Sequence, residues 1–529
     1  MSKLTVKKSG KATLLAALMA TCISPMAANA DNVTLRSADG SIDLFGKLLE
    51  YTDEFYVLET SLGNLRIGSA RVRCEGAACP TFETATADVQ ITGSQAIGTG
   101  LMPLLMEGYA GHRDAESAVA STSLQGQILA SLTAEQGFGD EMGSFLVTST
   151  DSAAGLKSLL DNEAQIAMSS RRILPQEARD LKAAGAGNMI SPSQEHIVAV
   201  DSIVVIVNPQ NPVQSLSMAQ VSDIYSGKIT NWSEVGGPNL AIEVVSREEG
   251  ATSRNVFDTA VRGDADAAQP GNVLIATDHT QAASYVTKNV AAIGYVGFAF
   301  QRGAKAIPLV NECNIAMVPD AFSAKTEEYA LQRRMYLYVR GDGLDQTSQE
   351  FLSYATSENA DSVILKSGFI DLGITSKGQA ADSSRAIGLQ TANLGDFEAE
   401  LASQMLTEMP SYERLSTTFR FRTGSAKLDE RGRLDMERLA AFLSRQPADS
   451  SVMLVGFTDD VGAFGANHQL SINRATQVAE QLRQVLPAEL ANLNIQSTGY
   501  GEIAPTACNV SDAGRGINRR VEVWIKSKA

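Results

Sequence analysis

The chain has 529 residues, 44% of them hydrophobic and 20% charged. That length allows about three domains, each with its own core, and the apolar content excludes a disordered chain. A formal net charge of −16 and a pI near 4.9 exclude a polyanion such as nucleic acid as a partner.

In chain order, the first thirty residues open with Lys3, Lys7, Lys8 and Lys11, run through an apolar core from Thr13 to Ala20 and end in Ala28-Asn29-Ala30. They read as a secretory signal peptide over residues 1–30, with a mature chain starting near Asp31 in an oxidising extracytoplasmic space. Cys22 raises a lipoprotein alternative, but Thr21 before it suits that processing poorly. No other run approaches the roughly eighteen uninterrupted apolar residues of a membrane span, so no transmembrane helix is expected in the mature chain.

Residues 31–82 alternate apolar and polar side chains between the turn signals DG, FGK and LGN, the pattern of a small antiparallel β-rich module. Its sequence is silent on function. Cys74 and Cys79, in RCEGAACP, are expected to close a small disulfide loop, since secreted thiols tend to pair. Cys313 and Cys508 leave two alternatives, a bond across domains or two buried free thiols.

Residues 83–375 alternate strands such as VQITGS, QIAMSS and IVAVDSIVVIVNP with helical stretches, which predicts an α/β domain with largely parallel sheets. Four strands run into hydroxyl and glycine residues before a helix: ITGSQAIGTG, TSTDSAAG, AMSSRRIL and SREEGATSR. Such corners present backbone N–H groups at helix N-termini, where an anion is favoured. Ser94, Gln95, Ser152, Ser170, Arg171, Arg247, Thr252, Ser253 and Arg254 are the candidate anion-binding residues there. Serine is also a routine helix cap, so one such corner alone says little. Four of one kind say more.

The string VDSIVVIVNPQNPVQSLSMAQVSDIYSGKITNWSEVGG, residues 200–237, together with REEGATSRNVF and AAIGYVGF, resembles the phosphate-type periplasmic substrate-binding proteins, the PstS-like group. The resemblance implies two α/β lobes of the periplasmic-binding-protein type II kind around a cleft, phosphate or another small anion as ligand, and an ABC transporter permease as partner. Where that group carries hydroxyl donors at its corners, this chain has Ala96, Ala154 and Ala251.

Residues 376–410 lose periodicity and read as a linker, with a short helix around Phe397 to Met405. Beyond them, over 411–529, the apolar run SVMLVGF predicts a buried strand that ends in Thr458 and Asp459, followed by a helix from near Asn467 that carries Arg474. An acceptor and a planar donor fork in one pocket would suit a zwitterion, whereas an ordinary Asp–Arg pair is a surface salt bridge of small value. Thr458, Asp459, Gly462, Asn467, Leu470, Ser471, Arg474 and Ala475, with a closing block from Gly499 to Ile525, resemble the OmpA-like peptidoglycan-binding domain. That resemblance implies an α+β domain in which Asp459 and Arg474 clasp the diaminopimelate of the stem peptide. The same resemblance makes Thr458, Asn467, Leu470, Arg515 and Arg519 further candidate peptidoglycan-binding residues. Phe457 departs from the pattern, which often has His there.

His112, His196, His279 and His468 show no metal-binding or catalytic spacing, so an enzyme is the weakest reading, and no metal or other cofactor is expected. The expected protein is multidomain and periplasmic. It captures phosphate or a similar oxyanion while attached to the cell wall, with outer-membrane association as a further possibility. In the alternative, it is a structural or sensory envelope protein whose binding-protein fold serves partner contact.

Overall fold

The computed structural model describes residues 32–526 apart from 38–42, 52–54, 62, 69–71, 77, 80–86, 136–138, 250, 263–272, 382, 393, 422, 426–430 and 448. The expected signal peptide, with Cys22, lies outside the described residues. The chain divides into two compact units, residues 1–84 and 85–529.

In the first unit, β1 (Asn32–Arg36), β2 (Asp43–Tyr51), β3 (Phe55–Thr60), β4 (Gly63–Gly68) and β5 (Arg73–Glu75) form one antiparallel sheet in the order β4-β3-β2-β1-β5. Alternation puts Val33, Leu35, Tyr56 and Leu58 on its buried face. The FGK string, expected as a turn, is instead the interior of β2. A Cβ added at Gly46 would sit 2.5 Å from the Glu59 carbonyl oxygen, so this glycine serves a close approach of strands rather than a reversal. Cys74 and Cys79 are bonded, their Cα atoms 5.8 Å apart.

The second unit opens with β6 (Val89–Ser94), α1 (Gln95–Gly100), α2 (Met102–His112), β7 (Ala115–Ser121), β8 (Gln127–Ala134) and β9 (Glu141–Thr150). Then come α3 (Ser152–Leu160), β10 (Ile166–Ser169), α4 (Pro175–Ala183) and β11 (Glu195–Val207). The chain continues through β12 (Leu216–Ser217), α5 (Met218–Tyr225), β13 (Glu243–Arg247), α6 (Thr252–Phe257), β14 (Val273–Ala276), α7 (His279–Lys288) and β15 (Ala292–Gly297). Three short strands follow, β16 (Lys305–Ala306), β17 (Leu309–Val310) and β18 (Ala316–Met317), and then α8 (Ala321–Lys325), β19 (Gln332–Val339), α9 (Gln346–Ala355) and α10 (Asp361–Lys366).

One sheet, in the order β14-β13-β15-β11-β19-β10-β6-β9-β8-β7, with β16 also on β11, runs through two lobes. Residues 195–202 of β11 pair with β19 in lobe 1, and residues 203–207 pair with β15 in lobe 2, so β11 passes between them. Each lobe has its own core, Ile91, Leu105, Phe145 and Phe351 in lobe 1 and Val205, Tyr225, Phe257 and Tyr295 in lobe 2. The expected largely parallel sheet is mixed. Within it, parallel pairing holds in β14-β13-β15 and β10-β6-β9, while β7, β8 and β9 form a meander and β11 and β19 run antiparallel to their neighbours. Short connections permit antiparallel pairs where a parallel pair needs a crossover.

The C-terminal part contains β20 (Ser376–Gly378), α11 (Ser384–Thr391), α12 (Asp396–Glu408), β21 (Glu413–Arg420), α13 (Arg431–Leu443), β22 (Ser451–Gly456), α14 (Phe464–Val485), β23 (Asn494–Gly499), α15 (Asp512–Asn518) and β24 (Arg520–Lys526). Its sheet has the order β20-β21-β24-β22-β23. Residues 376–410 differ from the expected linker. β20 joins this sheet, and Ala386, Leu389, Leu401 and Met405 of α11 and α12 pack against Phe457, Tyr500 and Trp524. Their few apolar side chains fall at helical spacing, enough to make a core-facing stripe in an otherwise polar stretch. Under them, the fully buried Glu522 accepts from Arg385 at 2.8 and 2.9 Å, from Arg520 at 2.8 Å and from the Trp524 indole at 2.9 Å. Cys313 and Cys508 are also bonded, with Cα atoms 5.4 Å apart, which resolves the two alternatives in favour of a bond across domains. Among the described residues no helix is long and apolar enough to cross a membrane.

Candidate functional site

Two groups of residues qualify, one in each domain of the second unit. In the C-terminal domain, β22 and β23 end in paired glycines, Gly456 and Gly499. A Cβ at Gly456 would lie 2.0 Å from the Ser471 carbonyl oxygen, and one at Gly499 would lie 2.2 Å from its Oγ. Only glycine lets α14 come this close. Ser471 then uses its hydroxyl twice, accepting from the Gly501 N–H at 3.0 Å and donating to the His468 carbonyl at 2.6 Å. The helix begins at Phe464, earlier than expected, so Arg474 lies in its third turn.

That packing sets Arg474 beneath the loop after β22. The side chain is fully buried; Nε donates to the Ser425 carbonyl at 2.9 Å, Nη1 to the Phe457 carbonyl at 3.3 Å, and the guanidinium lies 5.2 Å from the Phe421 ring centre. Burial pulls its pKa down to about 10, against the attraction of Asp459 and with the repulsion of Arg519. Asp459 is buried as well, and its direct ionic partner is Arg519, at 2.6 Å. Arg519 also donates to the Phe421 carbonyl at 3.2 Å. Asn467 donates to the Asp459 carbonyl at 3.2 Å and to Glu502. Thr458 donates its N–H to Gly501 at 2.9 Å, while its buried Oγ1 has no hydrogen-bond partner. Leu470 is half-buried on α14. Arg515 is engaged elsewhere, with the Asn509 carbonyl at 2.7 Å and with Asp512.

The structure thus brings Thr458, Asp459, Asn467, Arg474 and Arg519 together, a carboxylate and two guanidiniums beyond the end of β22 with Asp459 and Arg474 buried. Such an arrangement can hold an ammonium and a carboxylate of one ligand at once. Sequence reading missed Glu502, whose pKa is raised by burial, with Asn467 opposing, and which adds a second acid beside the first.

In the two-lobed domain, Ser94, Ser152 and Ser170 stand at the C-terminal ends of β6, β9 and β10. Ser94 pairs in register with Thr150, and Gly93 with Met168. Gly93 has φ +137° and a Cβ there would lie 2.2 Å from the Met168 carbonyl oxygen, so this corner requires glycine. The Ser152 and Ser170 hydroxyls are 3.3 Å apart, and the Ser170 N–H donates to Ser152 Oγ at 3.1 Å. Ser94 is buried and its Oγ has no partner; Gln95 beside it is exposed.

Arg171, from the same corner, turns to Glu177, with bonds of 2.6 and 2.8 Å that raise its own pKa. In lobe 2, Arg247 donates to the carbonyls of Ala276 at 3.1 Å and Thr277 at 2.9 Å and reaches Ser253 Oγ at 3.4 Å. Arg254 donates to the Arg247 carbonyl at 3.0 Å and pairs with Asp258 at 3.4 Å. Thr252 begins α6, and its side chain lies outside the described residues.

Between the lobes, Asp201 of β11 holds Arg333 of β19 at 2.7 and 3.0 Å. The neighbouring His279 accepts from the Gly297 N–H at 3.3 Å; burial, together with Arg247, lowers its pKa to about 4. This cluster, where β11 passes between the lobes, was not foreseen. The legible signal was an aspartate inside the apolar run IVAVDSIVVIV, since a buried charge needs a partner.

Two family descriptions match the chain: "PBP superfamily domain" over residues 80–359 and "OmpA family" over residues 420–519. The Bacillus subtilis phosphate-binding protein PstS is 27% identical over 220 residues, covering 41% of this chain and 68% of that protein. Outer membrane porin F of Pseudomonas fluorescens is 40% identical over 96 residues, covering 18% of this chain and 28% of that protein. A solved ABC-type phosphate transport receptor from Vibrio cholerae aligns with a TM-score of 0.39 and 24% identity, covering 54% of this chain and 99% of that one.

Proposed function

Since the chain belongs to the PBP superfamily through residues 80–359 and carries an OmpA family domain over 420–519, we propose that it is a periplasmic solute-binding protein that captures phosphate or a similar small oxyanion and is anchored non-covalently to peptidoglycan. Secretion is by the signal peptide of residues 1–30, with attachment to the wall and association with the outer membrane. An ABC transporter permease would receive the solute. The observation that carries the solute reading is the Ser94 hydroxyl, buried and unpartnered at the corner where Ser152 and Ser170 meet. A buried donor without a partner is costly, by about 1–3 kcal/mol, unless a ligand supplies an acceptor.

Titrating the full chain, stripped of ligand, with inorganic phosphate at low salt tests this. Micromolar or tighter binding, sharply weakened by Arg247→Ala with Arg254→Ala, supports the reading; no heat from the folded protein removes it. Retention on purified peptidoglycan, lost on Asp459→Asn, tests the anchor.

A second reading makes the protein a structural or sensory envelope component whose binding-protein fold serves partner contact. It draws support from Arg171 being committed to Glu177 and from Ala96, Ala154 and Ala251 at three corners. It predicts wall binding without phosphate binding, so the same two measurements separate the readings.

A further inference from the structure

The C-terminal domain grips the binding domain on both sides of its hinge. On lobe 1, Arg445 forms a two-pronged pair with Glu358 at 2.7 and 2.9 Å, and Arg438 donates to the Thr356 carbonyl at 2.9 Å. The segment they hold belongs to lobe 1, for Ala355, Ala360 and Ile364 lie in its core. Towards lobe 2, Arg414 bonds Glu328 at 3.1 Å and Arg420 pairs with Glu327 at 3.4 Å, next to Tyr329 and Leu331 of the lobe 2 core. Further along, Cys313 lies between β17 and β18, whose Leu309 and Met317 belong to that same core, and is covalently bonded to Cys508.

The two grips differ in packing. On the lobe 2 side an open cleft of about 510 Å³ is lined by Met317 and Phe322 of the two-lobed domain and by Leu389, Met409, Ile503 and Thr506 of the C-terminal domain. Protein interiors and well-fitted interfaces do not leave space on that scale. Beside that cleft the hold on lobe 2 comes from the disulfide, from ion pairs and from Lys377 and Arg414 over the Phe322 ring, rather than from a closely packed interface.

We infer that the C-terminal domain is a strap across the two lobes, fastened to lobe 2 by Cys313–Cys508, and that this fastening limits how far the lobes rock about β11 and β19. Two-lobed binding folds work by hinge motion of this kind. Fixing the lobes to one rigid partner restricts that motion without touching the cleft. Its consequence for ligand capture rests on the solute-binding reading; the strap itself rests on the contacts alone.

The test is a distance distribution between nitroxide labels at two exposed sites, Leu174→Cys in lobe 1 and Ile275→Cys in lobe 2, in the full chain. Replacing the disulfide with Cys313→Ser and Cys508→Ser should broaden the distribution about twofold. Arg445→Gln, which frees the lobe 1 grip with the disulfide intact, should broaden it too, and it serves alone if the serine variant fails to fold. Unchanged widths in the folded variants overturn the strap. Titration of the same proteins with inorganic phosphate keeps the two ideas apart. Broadening with no phosphate heat upholds the strap and removes the anion reading, while phosphate heat with unchanged widths does the reverse.

Discussion

The group around Asp459 and the serine corners of the two-lobed domain are both built from arginines and hydroxyls at strand ends, yet they leave the arginines in different states. In the first group Arg474 is desolvated enough for its pKa to fall to about 10, and Asp459 is buried beside it and Arg519. At the serine corners of the two-lobed domain Arg171 and Arg254 are answered by Glu177 and Asp258, six and four residues further along the chain, and Arg247 by backbone carbonyls. In each of them one buried hydroxyl is left over, Thr458 in the first and Ser94 in the second. Residue type is thus a poor guide to a site where each arginine is already held by an acid or by backbone carbonyls nearby. An unmet or strained polar group is a better one.

That contrast can be broken or sharpened by substitution. Arg474→Ala should lose retention on peptidoglycan and also destabilise the C-terminal domain by about 3 kcal/mol, because a fully buried side chain leaves a hole and takes one donor each from the Ser425 and Phe457 carbonyls. Asp459→Asn should lose retention with a smaller cost in stability, about 1–2 kcal/mol in chemical denaturation, since the amide keeps the shape and loses the charge. Equal retention by the Asn variant would show that ligand recognition does not use that charge.

Ser94→Ala should weaken phosphate binding by about 1–3 kcal/mol, read by calorimetry; unchanged affinity would mean that the unpartnered hydroxyl does not face the ligand. Next comes the seam between the two regions, where Asp361 is raised to about 6 by burial and by Asp371, with Arg438 and Lys325 opposing and Glu358 adding to the shift. The folded state binds more protons than the unfolded one between about pH 4 and pH 6 at this carboxyl, so its contribution is fully present below that window and is lost as the pH rises through about 6. Asp361→Asn should flatten that slope and raise stability at pH 7 by about 1–2 kcal/mol once solvent screening is allowed for. A steeper slope would reverse the assignment. Smallest of all, Arg171→Ala should change phosphate affinity less than about twofold, as its guanidinium is already held by Glu177. A large loss would mean that this pair opens on binding.

The difference in legibility follows the same line. Thr458, Asp459, Asn467 and Arg474 fall within one strand-loop-helix stretch, so local periodicity alone brings them near one another. Cys74 and Cys79 were legible for the same reason, being five residues apart. The anion corners lie on separate strands, and sequence could name their residues without saying which donors end up free. Residues 376–410 were read as a linker because their polar composition hides two short apolar stripes, which become helix faces only against Phe457 and Trp524.

By itself, then, the sequence determined what short-range chemistry determines: the β-rich module, the alternation of the binding domain, the glycine-lined corners, the close disulfide and the motif around Asp459. Tertiary structure alone decided the partners that lie far apart in the chain. Arg519 joins Asp459 across 60 residues, Arg385 joins Glu522 across 137, and Cys508 joins Cys313 across 195. The physical reason is that the free energy of a buried charge or a closed loop depends on what the rest of the fold places beside it, and no local pattern carries that information.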